Sequence, residues 1–232
     1  AIRYGPDGGV FLSDWTDTGE CHNYDKADLT NGRIYKVVHG KPTPWRGNLA
    51  KLSDGELVGL QSHKNDWQVR QARRLLQERS AAGKLSKDAV ADLETLFKPD
   101  HDTRIRLRAL WALHGVGARN SGDYLKFMRD ADISVAAWAA RLFFDEVRDE
   151  REMRDFETAE HPHLAEPRMQ LAVASGLQRW KEPNHPAALM LLKAVKDAND
   201  LNLPLMTWFA IEPRVAADTT FGLRCLESTD LP

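Results

Sequence analysis

One pattern recurs along this chain and limits its fold more than any other feature. Trp67-Gln68-Val69-Arg70-Gln71-Ala72-Arg73-Arg74-Leu75-Leu76 is matched by Arg104-Ile105-Arg106-Leu107-Arg108-Ala109-Leu110-Trp111-Ala112-Leu113. Val135-Ala136-Ala137-Trp138-Ala139-Ala140-Arg141-Leu142 and Pro167-Arg168-Met169-Gln170-Leu171-Ala172-Val173-Ala174 continue it. The anchors Val69, Ile105, Val135 and Pro167 stand 36, 30 and 32 residues apart. Arg70, Arg106 and Arg168 follow three of them, with Ala136 the departure; Asp66, Asp102 and Asp132 precede the first three anchors by three residues. A repeat of about 30–45 residues holding two helices cannot bury its apolar face alone, but stacked copies build a continuous core.

The pattern therefore predicts a mainly α chain, a HEAT-like α-solenoid of about five helical hairpins, with a short N-terminal β hairpin. Ala72, Ala109, Ala139 and Ala172 let helices approach closely, and the Leu and Trp positions fill the layer between. Asp66, Arg70, Asp102, Arg106, Asp132 and Arg168 are placed to form a polar ladder between repeats. A fifth unit, Leu203-Pro204-Leu205-Met206-Thr207-Trp208-Phe209-Ala210-Ile211-Glu212-Pro213, closes the series. Ser53-Asp54-Gly55-Glu56 has the spacing of a capping box and predicts a helix start. Pro167, Pro186 and Pro204 sit near further starts, where a missing N–H costs little.

The first part of the chain has a different period. Val10-Phe11-Leu12-Ser13-Asp14-Trp15 follows the turn residues Gly5-Pro6-Asp7-Gly8-Gly9, and Arg33-Ile34-Tyr35-Lys36-Val37-Val38 follows Asn31-Gly32. β-branched and aromatic residues between such breakers predict strands. Gly40, Pro42, Pro44 and Gly47 mark a linker. The expected division is a β segment with linker over 1–46 and a helical repeat domain over 47–232. The chain opens at Ala1-Ile2-Arg3-Tyr4, already in strand-like sequence, and reads as a piece of a longer protein.

With 32 basic and 34 acidic residues the formal net charge is −2, which gives no electrostatic footing for a nucleic-acid partner. No apolar run approaches the ~20 residues of a membrane span. Cys21 and Cys225 lie at opposite ends and are expected to be free thiols, although one long-range bridge is the other possibility.

No complete catalytic motif is present. The densest set of candidate ligands is Asp14, Asp17, Glu20, His22 and Asp25, which offers carboxylates and one imidazole within twelve residues. Such a loop suits Ca²⁺; the plainer reading is a polar loop whose side chains satisfy their own backbone. His161-Pro162-His163 pairs two imidazoles with no adjacent third ligand. Trp67, Trp111, Trp138, Trp180 and Trp208 recur at helical spacing and are expected in the core rather than on a ligand platform.

Several segments resemble the PVC-type haem-binding CxxCH proteins, also called membrane-bound dehydrogenase-like proteins. The resemblance rests on Gly5-Pro6-Asp7-Gly8, on Ser13-Asp14-Trp15-Thr16-Asp17-Thr18-Gly19-Glu20-Cys21-His22 and on Gly32-Arg33-Ile34-Tyr35-Lys36. It continues through Asn65-Asp66-Trp67-Gln68-Val69-Arg70 and Pro167-Arg168-Met169-Gln170-Leu171 to the Leu203–Pro213 unit. It implies that the β segment closes a sugar-dehydrogenase-like β-propeller and that a c-type cytochrome domain follows the repeats. It also implies haem c in the parent protein and a periplasmic or other extracytoplasmic location. Thr18 stands where the first cysteine of a Cys-x-x-Cys-His would be, so haem attachment to this chain is not expected. Three functions follow as expectations. The first is a non-catalytic scaffold between propeller and cytochrome domain, partnered by neighbouring domains or another protein. The second is part of a sugar or alcohol oxidoreductase to which Asp14, Glu20 and His22 contribute. The third is an independent protein-binding repeat domain.

Overall fold

The computed structural model describes residues 1–14, 32–41, 44–180, 186–196 and 200–228. The protein is mainly α-helical with a short antiparallel sheet at its N-terminus. It divides into two compact units, residues 1–93 and 94–232, with the division falling inside a helix, Lys87–Phe97.

The first unit holds β1 (Ile2–Tyr4), β2 (Val10–Ser13), β3 (Ile34–Val37), α1 (Asp54–Gly59) and α2 (Asp66–Ala81). The expected hairpin is a three-stranded sheet in the order β1-β2-β3, with Ile2 opposite Leu12 and Val10 opposite Val37. The extra strand arises from the Gly5–Gly9 turn, closed by Gly5 N–H to Gly9 O at 2.8 Å and by Gly8 at a φ of 83°. That turn rests on the start of α2. Asn65 Nδ2 donates to the Gly5 and Pro6 carbonyls at 3.0 and 3.1 Å, and Gln68 Nε2 donates to Pro6 O at 2.9 Å. Tyr4 OH donates to Asp66 Oδ2 at 3.0 Å, with the Arg70 guanidinium over the Tyr4 ring. None of the three short strands is buried along its length, so the sheet lacks the covered hydrophobic face that independent stability needs, and these bonds tie it to a helix. Ser53 and Glu56 form the expected capping box on α1.

The helix across the division is α3 (Lys87–Phe97). The second unit continues with α4 (Thr103–Gly115), α5 (Ser121–Phe127), α6 (Ile133–Glu146), α7 (Glu150–Thr158), α8 (Pro167–Leu177), α9 (Pro186–Ala194), α10 (Leu203–Ala217) and α11 (Thr219–Ser228). Helices α4, α6, α8 and α10 pack successively in one row, and α5, α7, α9 and α11 in another. The core lies between the rows. Ala136, Ala139, Ala140 and Ala172 are fully buried, as small residues must be where backbones approach. Phe143 stacks on Phe156 at 5.3 Å, and Phe144 meets Phe156 edge-on at the same distance. The Phe144 ring lies against Gly176, where an added Cβ would fall 2.0 Å from ring carbon Cδ2. Only glycine permits that approach between α6 and α8.

Candidate functional site

The residues singled out above are placed as follows. Asp14 lies just beyond β2, its backbone N–H donating to Arg33 O at 2.7 Å and its side chain exposed. Asp17, Glu20, His22, Asp25 and Cys21 lie outside the described residues. Among the described residues no group of three His, Cys, Asp or Glu side chains is arranged to hold a metal ion.

The ladder positions have separate duties. Asp66 pairs with Arg70 one turn on, at 3.3 Å. Asp102 caps α4 by accepting from Ile105 N–H at 3.0 Å. Arg106 donates from both terminal nitrogens to Asp130 and from Nε to Phe97 O at 3.0 Å, in a nearly solvent-free setting. Asp132 caps α6 through Ser134 N–H at 2.8 Å and accepts from the Thr103 hydroxyl. Burial pushes the Asp132 carboxyl up, but these bonds outweigh it and leave the pKa lowered. Arg168 reaches from α8 to Ser134 Oγ on α6 at 3.1 Å. The ties between successive helices of the first row thus run through Thr103, Asp130 and Ser134, which the repeat pattern did not single out.

His161, His163 and His114 each have a hydrogen-bonding partner. His161 Nε2 donates to Phe156 O at 2.7 Å, and His163 Nε2 donates to Asp130 O at 2.7 Å. A carbonyl only accepts, so both rings carry the proton on Nε2. Burial pushes the His161 pKa down. His114 Nδ1 lies 2.9 Å from Tyr124 OH. Burial first, then the Glu146 carboxylate, push the Tyr124 hydroxyl well above its ordinary pKa. That group remains a neutral phenol.

Two open surfaces stand out among the described residues of the second unit. The first is a shallow groove of about 660 Å³ across α6, α8 and α10. Trp138 forms its wall, in edge contact with Trp111 at 4.9 Å, and the Arg141 guanidinium lies 5.0 Å over the Trp138 ring. Arg179 is paired with Asp145 beside it. The second is an apolar cavity of about 550 Å³ between α10 and α11, with Leu192 of α9 also lining it. Trp208 and Leu226 stand at its edge, 46% and 73% exposed, and Leu205, Phe209 and Leu223 are exposed nearby. Thr207 is buried in its lining, and its hydroxyl has no hydrogen-bond partner among the described residues. Cys225 is a free, buried thiol whose pKa burial raises, so it is a packing residue rather than a nucleophile.

Among the described residues no helix is long and apolar enough to cross a membrane. Comparison with family models, curated proteins and solved structures gives no match.

Proposed function

We propose that this chain is a non-catalytic helical-repeat scaffold that seats a helical surface of a neighbouring domain, or of another protein, on its α10–α11 end. The observation that carries this reading is the apolar cavity there, rimmed by Trp208 and Leu226. Contiguous exposed apolar surface of this kind marks an interaction site. A helical partner is favoured because each inner hairpin covers the same side of the one before it: α8 packs on α6 and α10 on α8.

The resemblance to the PVC-type haem-binding family extends the proposal. In that setting the sheet would close a dehydrogenase-like propeller, and the repeats would join it to a c-type cytochrome domain in an extracytoplasmic parent protein. Haem c would then belong to the parent and not to this chain, and Ca²⁺ in the 14–25 loop remains part of the same proposal.

A photo-crosslinking residue at position 208 of the full-length parent tests the reading. The expected adduct joins position 208 to an apolar helical segment, while the same residue at exposed Arg151 yields none. No adduct at 208, or equal adducts at both positions, overturns the docking reading. Turnover of a sugar or alcohol with an artificial electron acceptor by the purified 232-residue chain overturns its non-catalytic part.

A further inference from the structure

We infer that the groove across α6, α8 and α10 binds an extended peptide segment that presents an acidic side chain to Arg141. This rests on the reading of the helical array as an interaction module, but it concerns a different surface from the α10–α11 end.

Charge comes first. Three ionisable side chains line the groove: Arg141, Arg179 and Asp145. Arg179 and Asp145 pair with each other. Arg141 has no carboxylate partner among the described residues; its guanidinium lies over Trp138 with the polar edge left open. A stacked guanidinium is pre-organised, because the ring holds its plane while its N–H fork remains free for a carboxylate. One such cation matches one carboxylate. It does not match a polyphosphate backbone, which needs several cations along its length.

The remaining lining specifies the rest of the ligand. Gln178 and Asn202 are exposed carboxamides whose oxygens can accept from a peptide N–H. Gln178 uses Nε2 on Ala174 O at 3.3 Å and has its oxygen to offer. Leu171 and Met206 supply half-buried apolar contacts between these polar groups. Neighbouring helices lie about 8–10 Å apart, so three of them span roughly 16–20 Å. An extended chain advances about 3.3 Å per residue, so that length holds about five or six residues.

The test uses the intact 232-residue chain and two probes, acetyl-Leu-Glu-Leu-Glu-Leu-Glu-amide and its Gln counterpart, followed by tryptophan fluorescence and calorimetry. The Glu peptide is expected to bind at least about tenfold more tightly than the Gln peptide, the margin of a charge-assisted hydrogen bond. Arg141→Gln should remove that margin without changing the far-UV spectrum or the melt, and Gln178→Ala with Asn202→Ala should weaken both peptides alike. Equal binding of the two peptides, no binding of either, or indifference to Arg141→Gln overturns the inference. Loss of binding in Leu226→Glu but not in Arg141→Gln also overturns it, while locating the peptide on the α10–α11 end and leaving the scaffold reading intact.

Discussion

Helices α8 and α10 begin alike and are packed very differently. Each opens with a proline in its first turn and carries apolar residues through its length. Yet seven of the eleven α8 residues are buried, against five of the fifteen in α10. Helix α8 lies between α6 and α10, whereas α10 meets α8 on one side and its own hairpin neighbours on another. In a stacked array, burial is conferred by the next layer. Composition tells which residues can be buried, and the neighbours decide which are. Mutations should therefore be severe where two layers meet and mild at the uncovered end.

The largest effect is expected at Asp130, between α5 and α6. Arg106 is almost solvent-free, and Asp130 supplies its paired carboxylate. Asp130→Ala leaves the guanidinium buried beside Phe97 without that charge. Breaking one partner of a buried pair costs about 3–5 kcal/mol, so denaturant unfolding should show a loss of that order. A loss below about 1 kcal/mol, the range of an exposed pair, would mean that Arg106 reaches water and that the inner layers are looser than described.

A smaller effect is expected from Gly176→Ala, which drives a methyl group into the Phe144 ring between α6 and α8. Overpacking of this kind costs about 1–3 kcal/mol, more where the ring cannot turn aside. Ala216→Leu, on the exposed side of α10, adds far more volume and should stay within about 0.5 kcal/mol. Equal melting shifts for the two variants would erase the distinction between covered and uncovered helices.

Much of the architecture was legible in the sequence because periodicity reports which helix face is apolar. The anchors Val69, Ile105 and Val135 all fall within helices, and Pro167 opens one. Ser53 and Glu56 cap α1 as their spacing requires. The added strand, β1, lies in residues that look strand-like, but three residues, Ile2–Tyr4, do not show that the Gly5–Gly9 turn folds them back onto Val10–Leu12 to extend the hairpin. The ties between repeats were harder to read for another reason. Asp130 and Asp132 are both acids before α6; Asp132 spends its carboxylate on the cap, and Asp130 takes the arginine. Sequence spacing does not separate two acids with different partners. Of the candidate loop ligands, only Asp14 falls among the described residues. Trp208, Leu223 and Leu226 show a similar limit: an apolar stripe announces a packing face without saying whether a neighbour is present to cover it.

That last point yields the smallest expected effect. Leu226 on α11 borders the apolar cavity and is 73% exposed. A leucine on a covered face loses about 2–5 kcal/mol when truncated, because its transfer energy is lost and a cavity remains. At an open end neither loss applies, since the side chain already meets water and its removal leaves no void. Leu226→Ser should therefore change the stability of the isolated chain by no more than about 0.5 kcal/mol. Measured in dilute solution and again at high protein concentration, the shift should be the same. A loss above about 1.5 kcal/mol would show that the α10–α11 end is covered in the isolated chain, and growth of that loss with concentration would identify a second copy as the cover. The contrast between α8 and α10 would then be one of partners, with the end layer completed in trans by the same stacking that completes the inner layers in cis.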